Sequence, residues 1–311
     1  MSRSMHTPPR LPLELWLPDL ARFEPSHPMR ALLRKADGQA MAARGYLAGL
    51  AERFSVPGGN LPAGALTREL IAGDAADVQW LCADPAWVQP DLNGARLLAC
   101  GQMQLDMAQA RALADALEPV FADAGMVLHV SSPDHWHVCL PDGESAPSLA
   151  APEQALGEDL YEHLPEGANG RRWRVLLNEV QVILHQHPLN AERRERGLPP
   201  INSLWLWGGG SLPGDVRTSL AGVISDDVLL TSLARRAGIA INTRTAQAVS
   251  AAKAGWLLDL QDLPAEEIDA HWWAAIEQLA LRQPLLLSFA SGERWLHRPW
   301  HRLRFWRGGA R

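Results

Sequence analysis

The chain has 311 residues, of which 47% are hydrophobic and 21% are charged, and its formal net charge is −6. So much apolar side chain can offset the entropy of ordering, which excludes an intrinsically disordered protein. Three cysteines are too few, and odd in number, for a disulfide scaffold. No apolar run approaches the roughly 20 residues of a membrane span, and residues 1–10 lack the apolar stretch of a signal peptide, so we expect a cytoplasmic protein.

The length predicts about two domains. We expect a disordered tail at 1–10, an α+β region at 11–150 and an α/β region at 151–311. The boundary is placed at the stretch 141–152, which is rich in Pro, Ser, Gly and Ala. In chain order, the first region is predicted to contain a strand at 11–17, helices at 38–54 and 65–71, strands at 78–82 and 96–100 with turns at Asp84-Pro85 and Asn93-Gly94, a helix at 107–124, and a strand pair at 126–130 and 135–140.

The second region alternates strands and helices. The predicted elements are a helix at 172–186, a strand at 203–207 broken by three glycines, a strand at 220–224, helices at 226–237 and 246–254, a strand at 255–260, a helix at 264–281, a strand at 284–290 and an antiparallel edge at 294–306. Such alternation is typical of βαβ units, so we expect a mostly parallel sheet flanked by helices.

Three polar residues share one face of the helix at 172–186. Asn178, Gln181 and His185 recur at spacings of three and four, opposite the apolar face. They form either a solvated outer face or the polar wall of a ligand-binding cleft. The strand that ends at Trp207 leads into Gly208, Gly209, Gly210 and Ser211, and a glycine loop at that end of a parallel strand can present backbone N–H groups to an anion. A flexible turn is the alternative interpretation.

His135, His137 and Cys139 alternate along one predicted strand and therefore point to one face. Residues four apart lie about 13 Å from one another, too far to share one tetrahedral metal ion. The three residues are therefore at most a pair that awaits distant ligands, and a half-buried strand face is the simpler interpretation.

The C-terminal segment is basic and aromatic. Its arginines, interleaved with Trp295, Trp300 and Trp306, are Arg294, Arg298, Arg302, Arg304, Arg307 and Arg311. Arginine with aromatic rings can bind single-stranded nucleic acid, and an acidic protein would be attracted equally. The alternative is an edge hairpin with solvated arginines.

One stretch resembles a known family. The residues that carry the resemblance are Asn190, Arg193, Gly197, Asn202, the run Trp205-Leu206-Trp207-Gly208, Gly210, Pro213 and the run Gly222-Val223-Ile224-Ser225. From Asn178 to Trp256 the chain resembles the archaeal-type, 2,3-bisphosphoglycerate-independent phosphoglycerate mutases of the alkaline phosphatase superfamily. Over its whole length it is more similar to the bacterial RpfE-type regulatory proteins, which are distant relatives of those mutases.

The resemblance implies two divalent metals, held by carboxylates and histidines, and a transiently phosphorylated serine. Metals serve because phosphoryl transfer develops negative charge that must be neutralised. Of the metal-binding pattern, only Asp19, Asp259 and Asp262 have counterparts here, and no counterpart of the serine is found. We therefore expect that metal-dependent catalysis has been lost and that no cofactor is needed.

The sequence thus predicts a reduced alkaline-phosphatase-like core with a divergent N-terminal half. The expected function is that of a cytosolic, non-catalytic regulatory protein that binds a small anionic ligand. The ligand is expected where the loop from Trp207 to Ser211, the helix face of Asn178, Gln181 and His185, and three further residues converge: Asn190, Arg193 and Asn202. One alternative is a working mutase that needs Mn or Zn, and another is an adaptor that acts through the C-terminal Arg/Trp segment.

Overall fold

A computed structural model describes residues 11–91, 94–163 and 167–304, and the chain forms two compact units. The first unit contains residues 11–55 and 215–304, and the second contains 56–214. The boundary expected near 150 falls inside the second unit, because the chain leaves the first unit after Ser55 and returns to it at Asp215. The tail expected at 1–10 lies outside the described residues. Within the described ranges, no helix combines the length and the apolar character needed to cross a bilayer.

Twelve strands are found in the described residues. In chain order they are β1 Leu13–Leu17, β2 Asp37–Gly38, β3 Gln79–Asp91, β4 Gly94–Cys100, β5 Val127–Val130, β6 Trp136–Cys139, β7 Ser203–Ser211, β8 Gly222–Ile224, β9 Ala240–Asn242, β10 Trp256–Asp259, β11 Leu285–Phe289 and β12 Arg294–His297.

Eleven α-helices accompany these strands in the same part of the chain. They are α1 Pro28–Lys35, α2 Tyr46–Arg53, α3 Ala63–Ala72, α4 Met107–Asp123, α5 Pro152–Ala155, α6 Gly167–Gln186, α7 Leu189–Glu195, α8 Val228–Arg236, α9 Ala246–Ser250, α10 Ala265–Glu267 and α11 Trp273–Arg282. A π-helical turn, Ile268–Trp272, joins α10 to α11, and short 3₁₀ helices form at Leu20–Arg22, Leu160–His163 and Pro299–Leu303.

The first unit is built on a seven-stranded sheet in the order β2-β12-β11-β1-β10-β8-β9. The five strands from β11 to β9 are parallel, whereas β12 and β2 are antiparallel. Leu13, Leu15 and Leu17 on one face of the central strand β1 are fully buried, and Trp16 on the other face is 2% exposed, as expected for a strand covered on both faces. The predicted α/β architecture with a mostly parallel sheet is confirmed.

Two predictions near the edge of this sheet need correction. The helix predicted at 38–54 begins only at Tyr46, because residues 37–38 pair with β12 and the amides of Gln39, Ala42 and Gly45 donate to the carbonyls of Arg294, Gly292 and Ala290. The predicted edge at 294–306 is a shorter strand, β12, and β2 lies outside it. Residues 305–306 lie outside the described ranges.

The second unit contains an antiparallel sheet in the order β4-β3-β6-β5, and β7 also pairs with β3. The turn predicted at Asp84-Pro85 is wrong, since both residues lie inside the long strand β3 and pair with β7. Here Pro85 is opposite Leu204. The strand pair β5–β6 and the helix α4 are confirmed, and the described part of this unit has no parallel strand pair between its named strands.

Candidate functional site

Polar residues follow the parallel strands of the first unit at their carboxyl ends, where open α/β sheets bind ligands. Ser225, Asp226 and Asp227 come directly after β8, Arg244 follows β9, and Asp259 is the last residue of β10. We call these five residues, together with Asp262 and Tyr46, the carboxyl-edge cluster.

Asp259 is fully buried in this cluster. Its Oδ2 accepts a hydrogen bond of 2.7 Å from Ser225 Oγ, and its Oδ1 accepts a longer one of 3.3 Å from the Gln261 amide. Burial, followed by repulsion from Asp227, raises the pKa of the Asp259 carboxyl to about 7, although the bond from Ser225 opposes the change. The carboxyl is therefore partly protonated near neutral pH, which weakens it as a metal ligand.

Arg244 supplies the positive charge of the cluster. Its Nη1 and Nη2 donate to the two oxygens of Asp262 at 2.6 and 2.8 Å, and its Nε donates to Asp226 Oδ2 at 3.1 Å. The guanidinium is only 9% exposed. Burial by itself would lower the pKa of Arg244, but Asp262 and Asp226 raise it above its usual range, so the cation is permanent.

Asp227 has a structural task at the same edge. Its Oδ1 caps α8 by accepting from the Leu230 amide at 2.7 Å, and it also accepts a hydrogen bond from the Tyr46 hydroxyl. The Asp227 amide in turn donates to Ser225 Oγ at 3.0 Å. The Asp227 carboxylate therefore fixes the start of the helix, and the Asp227 amide helps to fix the position of the serine.

The resemblance implies a pair of divalent metals, but the carboxyl-edge cluster does not fit them. Each of its carboxylates already accepts from a guanidinium, a hydroxyl or a backbone amide. In the ranges that the structure describes, no three His, Cys, Asp or Glu side chains are grouped as metal ligands. Of the three predicted remnants, Asp259 and Asp262 belong to the cluster, while Asp19 is exposed at the end of the loop that follows β1.

In the second unit, a groove brings together four of the predicted ligand-binding residues. Asn178, Gln181 and His185 of α6 line a cavity of about 420 Å³ with Asn202, and apolar side chains such as Val88 complete it. Asn202 is held by Val88, since its Oδ1 accepts from the Val88 amide at 2.8 Å and its Nδ2 donates to the Val88 carbonyl at 2.7 Å. Asn178 and His185 are exposed and Gln181 is half-buried, so this helix face lines an open groove, and its binding of a ligand stays a prediction.

Asn190 and Arg193 do not reach this groove. Asn190 is buried, donates to the carbonyls of Leu184 and Ile201, and accepts from the Ile201 amide. Arg193 is 1% exposed; its Nε donates to the Pro199 carbonyl at 2.9 Å and its Nη2 to the Met103 carbonyl at 2.7 Å. Burial lowers the pKa of Arg193. The expected convergence is therefore wrong for these two residues, because they crosslink the backbone around α7.

The glycines also lie elsewhere. Gly208, Gly209, Gly210 and Ser211 continue strand β7 instead of breaking it, and β7 is antiparallel to β3. A Cβ on Gly208, whose φ is +63°, would lie 2.6 Å from the Ala63 Cβ, and one on Gly209 would lie 2.4 Å from the Ala146 Cβ. The glycines thus permit close packing of β7. The prediction of an anion-binding glycine loop at the end of a parallel strand is therefore wrong.

Trp207 lies against a buried carboxyl. Its Nε1 donates to Asp84 Oδ2 at 2.7 Å, and Asp84 is 5% exposed. Burial raises the pKa of the Asp84 carboxyl to about 6, although His135, whose Nδ1 is 4.0 Å from Asp84 Oδ1, opposes the shift. Trp207 is therefore positioned by a hydrogen bond within the fold and does not line the groove.

Of the two alternating histidines, His135 and His137, His137 is the buried one. His137 is fully buried, with Nε2 2.8 Å from Thr67 Oγ1 and Nδ1 2.7 Å from Ser131 Oγ. Because Thr67 donates to the Ala63 carbonyl, His137 donates through Nε2 and accepts from Ser131 at Nδ1. Burial lowers the pKa of His137 to about 3, so the ring is neutral.

The C-terminal arginines are largely paired within the first unit. Arg294 bonds to Glu52, and both Arg298 and Arg304 bond to Asp37. Arg302 is exposed, and Arg307 lies outside the described residues. Binding of nucleic acid or an acidic protein by this segment stays a prediction.

Sequence reasoning missed Ser225, Asp227 and Arg244. The signal was present, because the rule that ligands gather at the carboxyl ends of parallel strands applies to the segments after β8 and β9. The ligand-binding edge was instead predicted at the glycine run after Trp207. That run belongs to the antiparallel sheet of the second unit.

No family model matches the chain. Curated relatives do match in part. A probable 2,3-bisphosphoglycerate-independent phosphoglycerate mutase of Geobacter sulfurreducens is 38% identical over 72 residues, which are 23% of this chain and 18% of that protein. The 2,3-bisphosphoglycerate-independent phosphoglycerate mutase of Methanosarcina mazei is 39% identical over 62 residues, or 20% of this chain and 16% of that protein. The matched segments thus cover less than a fifth of these two relatives.

Solved structures align over more of the chain at lower identity. The PH0037 protein of Pyrococcus horikoshii aligns with 92% of this chain and 87% of its own, at 14% identity and a TM-score of 0.48. A cofactor-independent phosphoglycerate mutase of Thermoplasma acidophilum aligns with 93% and 90%, at 14% identity and a TM-score of 0.40. From the sequence matches, the chain is distantly homologous to the archaeal-type cofactor-independent phosphoglycerate mutases.

Proposed function

We propose that this protein is a non-catalytic regulatory protein built on a phosphoglycerate-mutase-like scaffold, in keeping with its resemblance to the RpfE-type proteins. The observation that carries the proposal is Arg244, a buried guanidinium bonded to Asp226 and Asp262 at the carboxyl edge of the parallel sheet. This edge is where an α/β enzyme of this kind would assemble its reacting groups.

Charge distinguishes this edge of the sheet from a phosphoryl-transfer site. A phosphoryl group in transfer needs cations that are free to approach its oxygens. The N–H groups of Arg244 are instead directed at the protein's own carboxylates, and Asp259 is partly protonated. A guanidinium held bidentately by one carboxylate and bonded to another offsets their negative charge and so weakens their attraction for a divalent metal.

Elemental analysis of the purified protein tests this proposal. After incubation with Mn²⁺ or Zn²⁺ and desalting, we expect substoichiometric metal and no conversion of 3-phosphoglycerate, because Arg244 offsets the charge of Asp226 and Asp262. An active phosphoglycerate mutase, assayed in the same buffer, is the control. Stoichiometric metal together with turnover would support the enzyme alternative and contradict the proposal.

The ligand of the regulatory protein is proposed to bind in the groove of the second unit. Asn178, Gln181 and His185 offer hydrogen-bond donors, and none of the residues that line the groove is a carboxylate. Such a lining suits a small phosphorylated or carboxylic ligand.

A thermal-shift screen with small phosphorylated and carboxylic compounds checks this site. A compound present at 100 times its Kd stabilises by about 2.7 kcal/mol, enough to raise the Tm of a unit of this size by roughly 5–11 °C. We expect Gln181→Leu and His185→Leu each to reduce the shift, because each removes a donor from the groove wall. The exposed Gln102, in the same unit but outside the groove, provides the matched control Gln102→Leu. Equal shifts in all three variants would place the ligand elsewhere.

A further inference from the structure

A second cavity lies entirely within the first unit. It has a volume of about 450 Å³ and is lined by α1, α11, β12 and the 3₁₀ helix Pro299–Leu303. Ligand pockets in proteins typically have about 300–1,000 Å³, so the volume suits a small organic molecule. None of the residues of the carboxyl-edge cluster lines it.

One wall of this cavity is apolar. Leu32, Trp273 and Leu281 belong to it, and Leu281 is 49% exposed although it is aliphatic. Trp273 is the first residue of α11, immediately after the π-helical turn. Single π turns within helices occur often at functional sites.

The polar side of the cavity carries two cations. Lys35 and Arg302 line it, and neither forms an ion pair with a carboxylate in the described part of the chain. Glu277 contributes one negative charge. Burial first, and then the neighbouring His301, Arg304 and Lys35, lower the pKa of His297 to about 4, so that this lining residue is neutral. The lining therefore carries a net charge of about +1 at neutral pH.

Two lining residues also have buried polar atoms that no described residue satisfies. These atoms are Nδ1 of His297 and Nε1 of Trp273, in side chains that are 6% and 9% exposed. Nearly all buried polar groups in proteins have a partner, and an unsatisfied one favours any ligand or water that supplies it. An anionic oxygen can accept from the indole N–H of Trp273.

We propose that this cavity binds a small amphipathic monoanion, such as an aromatic or medium-chain carboxylate. The anionic group bonds to Lys35 and Arg302, and the apolar part packs on Trp273 and Leu281. The proposal does not depend on the proposed function, because the cavity shares no residue with the carboxyl-edge cluster or with the groove of the second unit.

The probe for this site is 8-anilinonaphthalene-1-sulfonate, an aromatic monoanion that fluoresces when it is bound. We expect saturable binding that octanoate displaces and octylamine, of the same chain length but opposite charge, does not. Lys35→Met and Arg302→Met should each weaken the affinity for the probe roughly tenfold, the effect of losing one charge-assisted hydrogen bond. The only other lysine of the chain, Lys253, is exposed and outside the cavity, so Lys253→Met is the matched control and should bind as the wild type does.

A variant that fills the cavity distinguishes binding inside the cavity from nonspecific attraction of anions to the protein. Ala31 lines the cavity from an exposed position on α1, so Ala31→Trp should occlude it without changing charge or disturbing the core. We expect this variant to keep the wild-type unfolding midpoint and to lose probe binding. Unchanged affinity in Ala31→Trp and Lys35→Met, or equal displacement by octanoate and octylamine, would overturn the proposal.

Discussion

Arg193→Ala is expected to destabilise the second unit by about 3–5 kcal/mol, with no ligand present. The side chain is 1% exposed and donates to two backbone carbonyls, those of Pro199 and Met103. Hydrogen bonds from a charged group contribute about 1.5–3 kcal/mol each, and the truncation also leaves a cavity and two unsatisfied carbonyls. Chemical denaturation of the purified variant measures this loss.

The neighbouring Arg196 provides the matched control for this experiment. Arg196 is exposed, so Arg196→Ala should change the free energy of unfolding by no more than about 0.5 kcal/mol. If Arg193 were instead an anion contact, its variant would unfold like the wild type and differ only when a ligand is added. That outcome would restore the original interpretation of Arg193 as a ligand-binding residue.

Asp259→Asn is expected to abolish a pH dependence of stability in the first unit. The pKa of Asp259 is raised to about 7 in the folded protein, from an ordinary value of 3.8 for an exposed aspartate. The folded state therefore binds a proton that the unfolded state has released, and the stability falls as the pH rises from about 4 to about 7. Between pH 5 and pH 8, ionisation of this one carboxyl should lower the free energy of unfolding of the wild type by about 2–3 kcal/mol.

Denaturation at pH 5 and pH 8 measures the effect on Asp259→Asn. The variant should be more stable than the wild type at pH 8 and similar to it at pH 5, because a neutral amide replaces a carboxyl that is itself protonated at pH 5. Asp84→Asn is a useful comparison, since the pKa of Asp84 is raised only to about 6. The loss of stability that ionisation of Asp84 causes is therefore complete at a lower pH than the loss caused by ionisation of Asp259. A stability difference between Asp259→Asn and the wild type that is equal at the two pH values would show that Asp259 is ionised throughout the range.

Elements with strong local signals were predictable. The helix α4 has an Asp106–Gln109 capping box and an apolar stripe, and strand β1 alternates the buried leucines Leu13, Leu15 and Leu17. The face formed by Asn178, Gln181 and His185 follows directly from helical spacing, and the structure places it in a groove.

The remaining features depend on distant contacts that local patterns do not contain. The chain from Gln39 to Gly45 has a helical composition, yet its amides bond to residues more than 240 positions away. Pro85 lies in the middle of β3, where it pairs with a residue of the distant strand β7. Arg193 lies in helix α7 and Arg244 follows strand β9, and only their partners show that the first crosslinks the backbone while the second belongs to the acidic cluster.

The first unit is formed by two segments that are far apart in the sequence, and this affects its folding during synthesis. The central strand β1 pairs with β10 and β11, whose residues are made about 240 to 270 positions later. While the ribosome completes 56–214, β1 has no partner and its leucines are exposed to water, whereas the contiguous second unit can fold as soon as it emerges. A chain that stalls before β10 therefore carries an apolar, unpaired strand that is open to chaperones and to aggregation.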